Sequence, residues 1–206
     1  MSLFQGNGLA CWRGEIPVFE DLDFAADAGE ALWLAGPNGS GKSSLLRLMA
    51  GLLEPVDGVI AWGGAPIAAD REAHRARLRY LGHLDAVKPH LSVAENLRFW
   101  AEYWDAPHNT VAPALERVGL ARLREAAGRR LSAGQRRRLA LARLLLAPAA
   151  LWLLDEPTAA LDSDGIALFS ELVAECRARG GIVVFSSHEV LALPDVRRLA
   201  LEGIAA

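Results

Sequence analysis

The 206-residue chain carries 22 Lys and Arg against 25 Asp and Glu, a formal net charge of −3, and two cysteines, Cys11 and Cys176, without C-x-x-C or metal-ligand spacing. That length buries one substantial α/β core with a small appended lobe at most. The charge gives no global attraction to nucleic acid, and the cysteines fit a reducing compartment. A mean hydropathy of +0.17 with six tryptophans is high for a monomer of this size and points to a surface buried against a partner. No N-terminal segment joins a basic start, an apolar stretch and a small-residue cleavage site, so a cytosolic protein is expected. The longest apolar run, Leu144 to Leu154, contains Pro148 and is too short for a bilayer core of about 30 Å, so membrane contact is expected to go through a partner.

Leu9 to Phe24 alternates apolar and polar residues around Gly14 and Pro17, which predicts two short strands joined by a turn. Within it Trp12 and Arg13 each offer a flat face for an adenine ring, or sit there as a half-buried strand residue and a solvated cation. Ala31 to Ala35 reads as a buried strand. It leads into Gly36-Pro37-Asn38-Gly39-Ser40-Gly41-Lys42-Ser43, the G-x-x-x-x-G-K-[ST] spacing of a phosphate-binding loop. Glycines let such a loop turn its N–H groups inward, and a helix from Ser44 to Ala50, closed by Gly51, adds the partial positive charge of its N-terminus. Residues 36–43 and Ser44 are therefore expected to bind nucleotide, with Lys42 reaching the β- and γ-phosphates and the Ser43 hydroxyl a magnesium ligand.

Pro55 and Asp57-Gly58 mark a turn before a strand from Val59 to Trp62, and Gly63-Gly64 mark another. Asp70 to Arg79, rich in arginine, reads as a solvated helix, and Tyr80 to His83 as a strand end followed by a loop. Ser92 and Glu95 have capping-box spacing and open a helix. Along it Val93, Leu97, Trp100 and Trp104 recur at helical spacing, flanked by Phe99 and Tyr103, a stripe that reads either as core or as a docking face for another protein. An amphipathic helix from Val111 to Val118 ends at Gly119, and residues 121–130 are basic. In Leu131-Ser132-Ala133-Gly134-Gln135 the same capping spacing, Ser132 to Gln135, precedes a helix from Arg136 to Leu146, with Arg136, Arg137 and Arg138 expected largely in solvent.

Ala150 to Leu154 is an unbroken apolar run ending in Asp155-Glu156-Pro157, and acids at the end of a buried strand need a reason. In a protein with a phosphate loop the reason is chemical. Asp155 holds magnesium, and Glu156 orients and polarises a water toward the γ-phosphate. Ala160-Leu161-Asp162 leads into a long helix from Ser163 to Arg179, whose apolar face carries Ile166, Phe169, Leu172, Val173 and Cys176. Ile182 to Phe185 is a further buried strand, and Ser186-Ser187-His188 places an imidazole at its tip, where ligands sit in open α/β sheets. Glu156, His188 and Lys42 are the expected catalytic groups.

Together these stretches resemble the ATP-binding cassette family over nearly the whole chain. Gly36 to Ser43 matches its Walker A motif, Leu151 to Asp155 with Glu156 its Walker B motif and catalytic glutamate, and Leu131 to Gln135 its L-S-G-G-Q signature with alanine at the third position. Ala160-Leu161-Asp162 looks like the D-loop and His188 like the switch histidine. The resemblance implies an α/β P-loop NTPase fold: a mixed sheet core, N-terminal antiparallel β strands and a helical lobe near residues 70–150, all in one domain. It implies ATP and Mg2+, hydrolysis, and a second copy in a head-to-tail dimer in which each ATP meets one copy's phosphate loop and the other's Ser132, Gly134 and Gln135. It also implies integral membrane subunits as partners and a peripheral place on the cytoplasmic face of the inner membrane, with no nucleic acid and no span of its own.

Two departures stand out. Ala159-Ala160 stands where serine is common before Ala-Leu-Asp, and His83 occupies the position of the family's loop glutamine. A histidine accepts a hydrogen bond only while neutral, so where it meets the magnesium shell and the attacking water, activity is expected to fall more steeply on acidification than with glutamine; the alternative is a lobe-interface residue out of reach of the metal, for which the two profiles coincide. Within the family, Leu81-Gly82-His83, Glu95 to Phe99 and Leu131 to Leu144 resemble the ATP-binding subunits of cytochrome c maturation, or haem export, systems. The alternatives are another small transporter's ATPase or a soluble cassette ATPase acting on ribosomes or DNA. The latter class usually needs tandem cassettes or long insertions, and this chain has room for neither. No C-x-x-C-H motif is present and the histidines are scattered, so nothing in the sequence has the chain itself binding haem.

Overall fold

The computed structural model describes residues 2–188 and 191–202. It divides into two compact units, the first made of Met1–Tyr80, Ala149–Glu156 and Val173–Ala206, the second of Leu81–Pro148 and Pro157–Leu172.

In the first unit the alternating N-terminal residues form β1 (Phe4–Arg13) and β2 (Ile16–Ala26), a hairpin longer than the alternation predicts because Phe4, fully buried, pairs with Ala26 at its far end. β4 (Asp57–Trp62) and β5 (Ala65–Pro66) complete an antiparallel sheet in the order β2-β1-β4-β5. The apolar runs, which read as strands buried on both faces, form β3 (Ala31–Ala35), β7 (Leu151–Leu154) and β8 (Ile182–Ser186) of the second sheet; β6 (Leu78–Leu81) and β9 (Val196–Ala200), a strand with exposed arginines that the sequence analysis did not read as one, complete it in the order β6-β7-β8-β3-β9. The pairings β7–β8, β8–β3 and β3–β9 are parallel, so these strands end on one edge of the sheet.

α1 (Lys42–Met49) packs against β7 and β8, burying Leu45, Leu46, Leu48 and Met49; each such side chain contributes about 2 kcal/mol of apolar burial. α2 (Arg71–Arg77) corrects one expectation, because it is not solvated throughout. His74 is 1% exposed and its Nε2 donates to Met49 O at 2.8 Å, while Arg79 falls in β6 with its guanidinium on the Leu78 carbonyl.

The second unit holds α3 (Val93–Tyr103), α4 (Val111–Arg117), α5 (Ala133–Ala142) and the part of α6 (Ser163–Ala178) up to Leu172. Both capping boxes form: Ser92 and Glu95 close the start of α3, Ser132 and Gln135 that of α5. The aromatic stripe on α3 divides. Val93 and Leu97 are core, Trp100 and Trp104 are half-buried, and Phe99 and Tyr103 stand 44% and 68% exposed.

Candidate functional site

The phosphate loop leaves β3 at Gly36, where only glycine fits: a Cβ there would lie 2.3 Å from Leu201 O and 2.6 Å from Ser40 Oγ. Pro37, Asn38 and Gly39 form an exposed rim, and Gly41, at φ +97°, turns the chain into α1. The first N–H groups of α1, on Lys42, Ser43 and Ser44, lack intrahelical acceptors and face outward along the helix axis. Lys42 is 7% exposed and its Nζ donates to the loop's own carbonyls, Gly36 O at 2.8 Å and Pro37 O at 2.9 Å. Ser40 Oγ is buried with no hydrogen-bond partner. A buried ammonium resting on neutral carbonyls, beside an orphaned hydroxyl and free helix N–H groups, is a cradle suited to an anion. Ser43 is half-buried, and Ser44 is buried with its hydroxyl bonded to the Cys11 thiol. Trp12 and Arg13 both reach the surface.

At the end of β7, Asp155 is 2% exposed and its Oδ1 accepts from Ser186 Oγ at 2.8 Å. Glu156 follows with φ +50°, a left-handed conformation that costs a non-glycine residue on the order of 1–3 kcal/mol, and it turns its carboxylate to within 3.4 Å of His188 Nε2. The Glu156 side chain is 15% exposed and that of His188 52%, so the pair lies at the surface end of the strands. Trp33 ties β3 to the same region, its Nε1 donating to Ser187 O at 3.1 Å.

Among the described residues no three His, Cys, Asp or Glu side chains gather as a metal cage. The candidate donors on this sheet edge are one carboxylate, Asp155, and one hydroxyl, Ser43. That sparse oxygen set suits magnesium, which keeps waters and phosphate oxygens in its shell. Lys42, Ser43, Asp155, Glu156 and His188 thus share one unit and one sheet edge.

The remaining sequence-predicted residues lie in the second unit. Ser132 Oγ accepts from Gln135 N at 3.2 Å, and Gln135 Oε1 accepts from Ser132 N at 2.9 Å, which commits both side chains to the start of α5. Gly134 passes so close to Ala160 that a Cβ would lie 2.8 Å from its carbonyl oxygen. His83 is exposed on the loop after β6.

Of the three arginines expected in solvent, Arg137 is instead 2% exposed. It pairs with Asp85 Oδ1 at 2.9 Å and donates to Pro157 O at 3.1 Å. Arg138 reaches Asp162 at 2.6 Å, and Arg136 donates to Leu131 O. Further along, Arg143 lies 3.8 Å over the Trp100 ring, and burial lowers its pKa to about 10, which leaves it charged at neutral pH. Sequence reasoning passed over Ser186 beside Asp155 in the candidate site, and Arg137 as a buried residue of the second unit. Arg137 recurs with Ala140, Leu141 and Leu144 at helical spacing, a signal that puts it on the buried face.

The sequence matches the family model described as ABC transporter over residues 19–159. The cytochrome c biogenesis ATP-binding export protein CcmA of Paramagnetospirillum magneticum is 56% identical over 209 residues, covering 99% of this chain and 96% of that protein. The CcmA of Rhodospirillum rubrum is 52% identical over 204 residues, covering 99% and 88%. Among solved structures, a putative ABC transporter ATP-binding protein from Pyrococcus furiosus has a TM-score of 0.83 at 30% identity and covers 96% of both chains. A phosphate loop with an acidic strand end is common to many nucleotide-binding proteins, but likeness in sequence and backbone over the full length is not. On that agreement the chain belongs to the ABC transporter family, among its ATP-binding proteins.

Proposed function

We propose that this chain is the ATP-hydrolysing subunit of a membrane complex in c-type cytochrome biogenesis, driving haem export or the release of a haem-loaded chaperone. The observation that supports the ATPase reading best is the Glu156–His188 pair, 3.4 Å apart, on the sheet edge that also carries the Lys42 loop and Asp155. The biogenesis role rests on relatives of that name at 56% and 52% identity.

In this reading the two units form one cassette domain. Lys42 exchanges its two loop carbonyls for β- and γ-phosphate oxygens, and Ser43 and Asp155 would hold Mg2+. Bound there, the metal would neutralise charge on the phosphates. Glu156 accepts a hydrogen bond from the attacking water and aligns it, and His188, beside that carboxylate, donates toward the γ-phosphate. A second copy, docked head to tail, presents its Ser132, Gly134 and Gln135 at the start of α5, adding the positive helix end to the γ-phosphate side. His83 stands in for the family's glutamine. The complex sits at the cytoplasmic face of the inner membrane, held there by integral membrane subunits.

The test is a deletion strain complemented with the wild type or with Lys42→Ala. Covalent holo-cytochrome c, read by haem staining, is expected to be lost in the deletion, restored by the wild type and not by Lys42→Ala. Normal holo-cytochrome c in the deletion strain would overturn the biogenesis role.

A further inference from the structure

Strand β8 lies between the strand that leads into the phosphate loop and the strand that ends in Asp155, and its last residue touches both sides. The parallel register pairs Leu154 with Phe185, which brings Asp155 level with Ser186, and on the other edge Ser186 pairs with Leu34, two residues before Gly36. Ser186 is fully buried. Its hydroxyl makes two bonds of opposite sense: it donates to Asp155 Oδ1 at 2.8 Å and accepts the Glu156 backbone N–H at 2.8 Å. The single hydroxyl proton is thereby committed to the carboxylate, and its lone pair to the peptide that opens the left-handed turn at Glu156. Each bond polarises the other, because a hydroxyl that accepts a hydrogen bond donates a stronger one.

The geometry points to Ser186 as a positioning residue that sets the Asp155 carboxylate for a divalent cation and, through the same oxygen, fixes the backbone conformation that aims Glu156. The inference rests on the nucleotide-site reading above. A hydroxyl is required because neither Ala nor Val can donate and accept at one atom. Without it the Asp155 carboxylate loses a donor, while the Glu156 N–H loses the partner that offsets its strained φ. Losing the group that orients a metal ligand typically weakens metal affinity or activity about 10- to 100-fold.

The experiment uses Ser186→Ala and Ser186→Thr in the chain purified with its membrane subunits, with melting curves as the check on folding. Binding of a fluorescent non-hydrolysable ATP analogue is titrated with and without Mg2+, and ATP turnover is measured alongside. For Ser186→Ala, metal-free affinity should stay within about twofold of the wild type, while the gain that Mg2+ confers and the turnover each fall about tenfold. Ser186→Thr, which keeps the hydroxyl, should recover most of both. Wild-type magnesium dependence and turnover in Ser186→Ala overturn the proposal. A loss equal in size with and without Mg2+, or a Thr variant no better than Ala, also overturns it, because either places the effect in packing rather than in the hydroxyl. A wild type that gains nothing from Mg2+ overturns the nucleotide-site reading itself, and the proposal with it.

Discussion

Lys42 and Glu156 divide the proposed chemistry between binding and turnover, so their variants should separate the two. The Lys42 ammonium, held by Gly36 O and Pro37 O, is the buried cation of the loop, and Lys42→Ala is expected to weaken ATP binding about 100-fold. Glu156→Gln keeps size and hydrogen bonding but removes the charge that polarises water. It should bind ATP like the wild type and hydrolyse it about 100- to 1,000-fold more slowly, and unchanged turnover would remove Glu156 from that role. His74 supplies a prediction about stability. Its Nε2 donates to Met49 O, its Nδ1 is buried without a partner, and burial, with Arg77 adding repulsion, lowers its pKa. The folded protein therefore resists protonation while the unfolded chain accepts a proton near pH 6.5, so stability is fully present above about that pH and declines below it. Between about pH 7 and 5.5 the melting temperature of the wild type should fall more steeply than that of His74→Phe, and parallel curves would refute this.

Elements whose cues are local were legible in the sequence. The Gly36 to Ser43 spacing, the capping boxes at Ser92 and Ser132 and the apolar runs of β3, β7 and β8 all rest on neighbours within a few residues, and the structure forms each of them. What escaped depends on partners distant in the chain. Arg137 looks like its neighbours Arg136 and Arg138 until α5 turns it toward Asp85, and Ser186 gains its meaning only when the β7–β8 register sets it beside Asp155. His74 was passed over for the same reason, because the Met49 carbonyl that makes its burial tolerable lies at the end of another helix. The Arg137 case carries a prediction at this scale. Arg137→Ala strips the charge partner from Asp85 and leaves space on the buried face of α5, so unfolding in denaturant should show a loss of about 3 kcal/mol. Arg137→Met, which refills that space with an apolar chain, should lose less. Equal stability of all three proteins would mean that the pair contributes nothing.

At the scale of the whole molecule, no helix among the described residues is long and apolar enough to cross a membrane, and the proposed export role passes its work through contacts with other chains. The proposed head-to-tail dimer is the first of these contacts and can be tested in isolation from the membrane subunits. In the Glu156→Gln background, ATP should accumulate a dimer visible by light scattering, because binding persists while hydrolysis is blocked. Ser132 decides whether the α5 start is the docking face. Its hydroxyl caps its own helix, so a replacement without a capping oxygen costs about 1 kcal/mol through the lost cap, and Ser132→Ala measures that cost alone. Ser132→Arg adds bulk and positive charge on an exposed position that the proposal fills with the partner's nucleotide. Added to Glu156→Gln, Ser132→Ala should leave the ATP-dependent dimer in place and Ser132→Arg should abolish it, at melting temperatures that differ little. A dimer undiminished by Ser132→Arg would move the contact away from the α5 start and remove the second copy's signature segment from the proposed site.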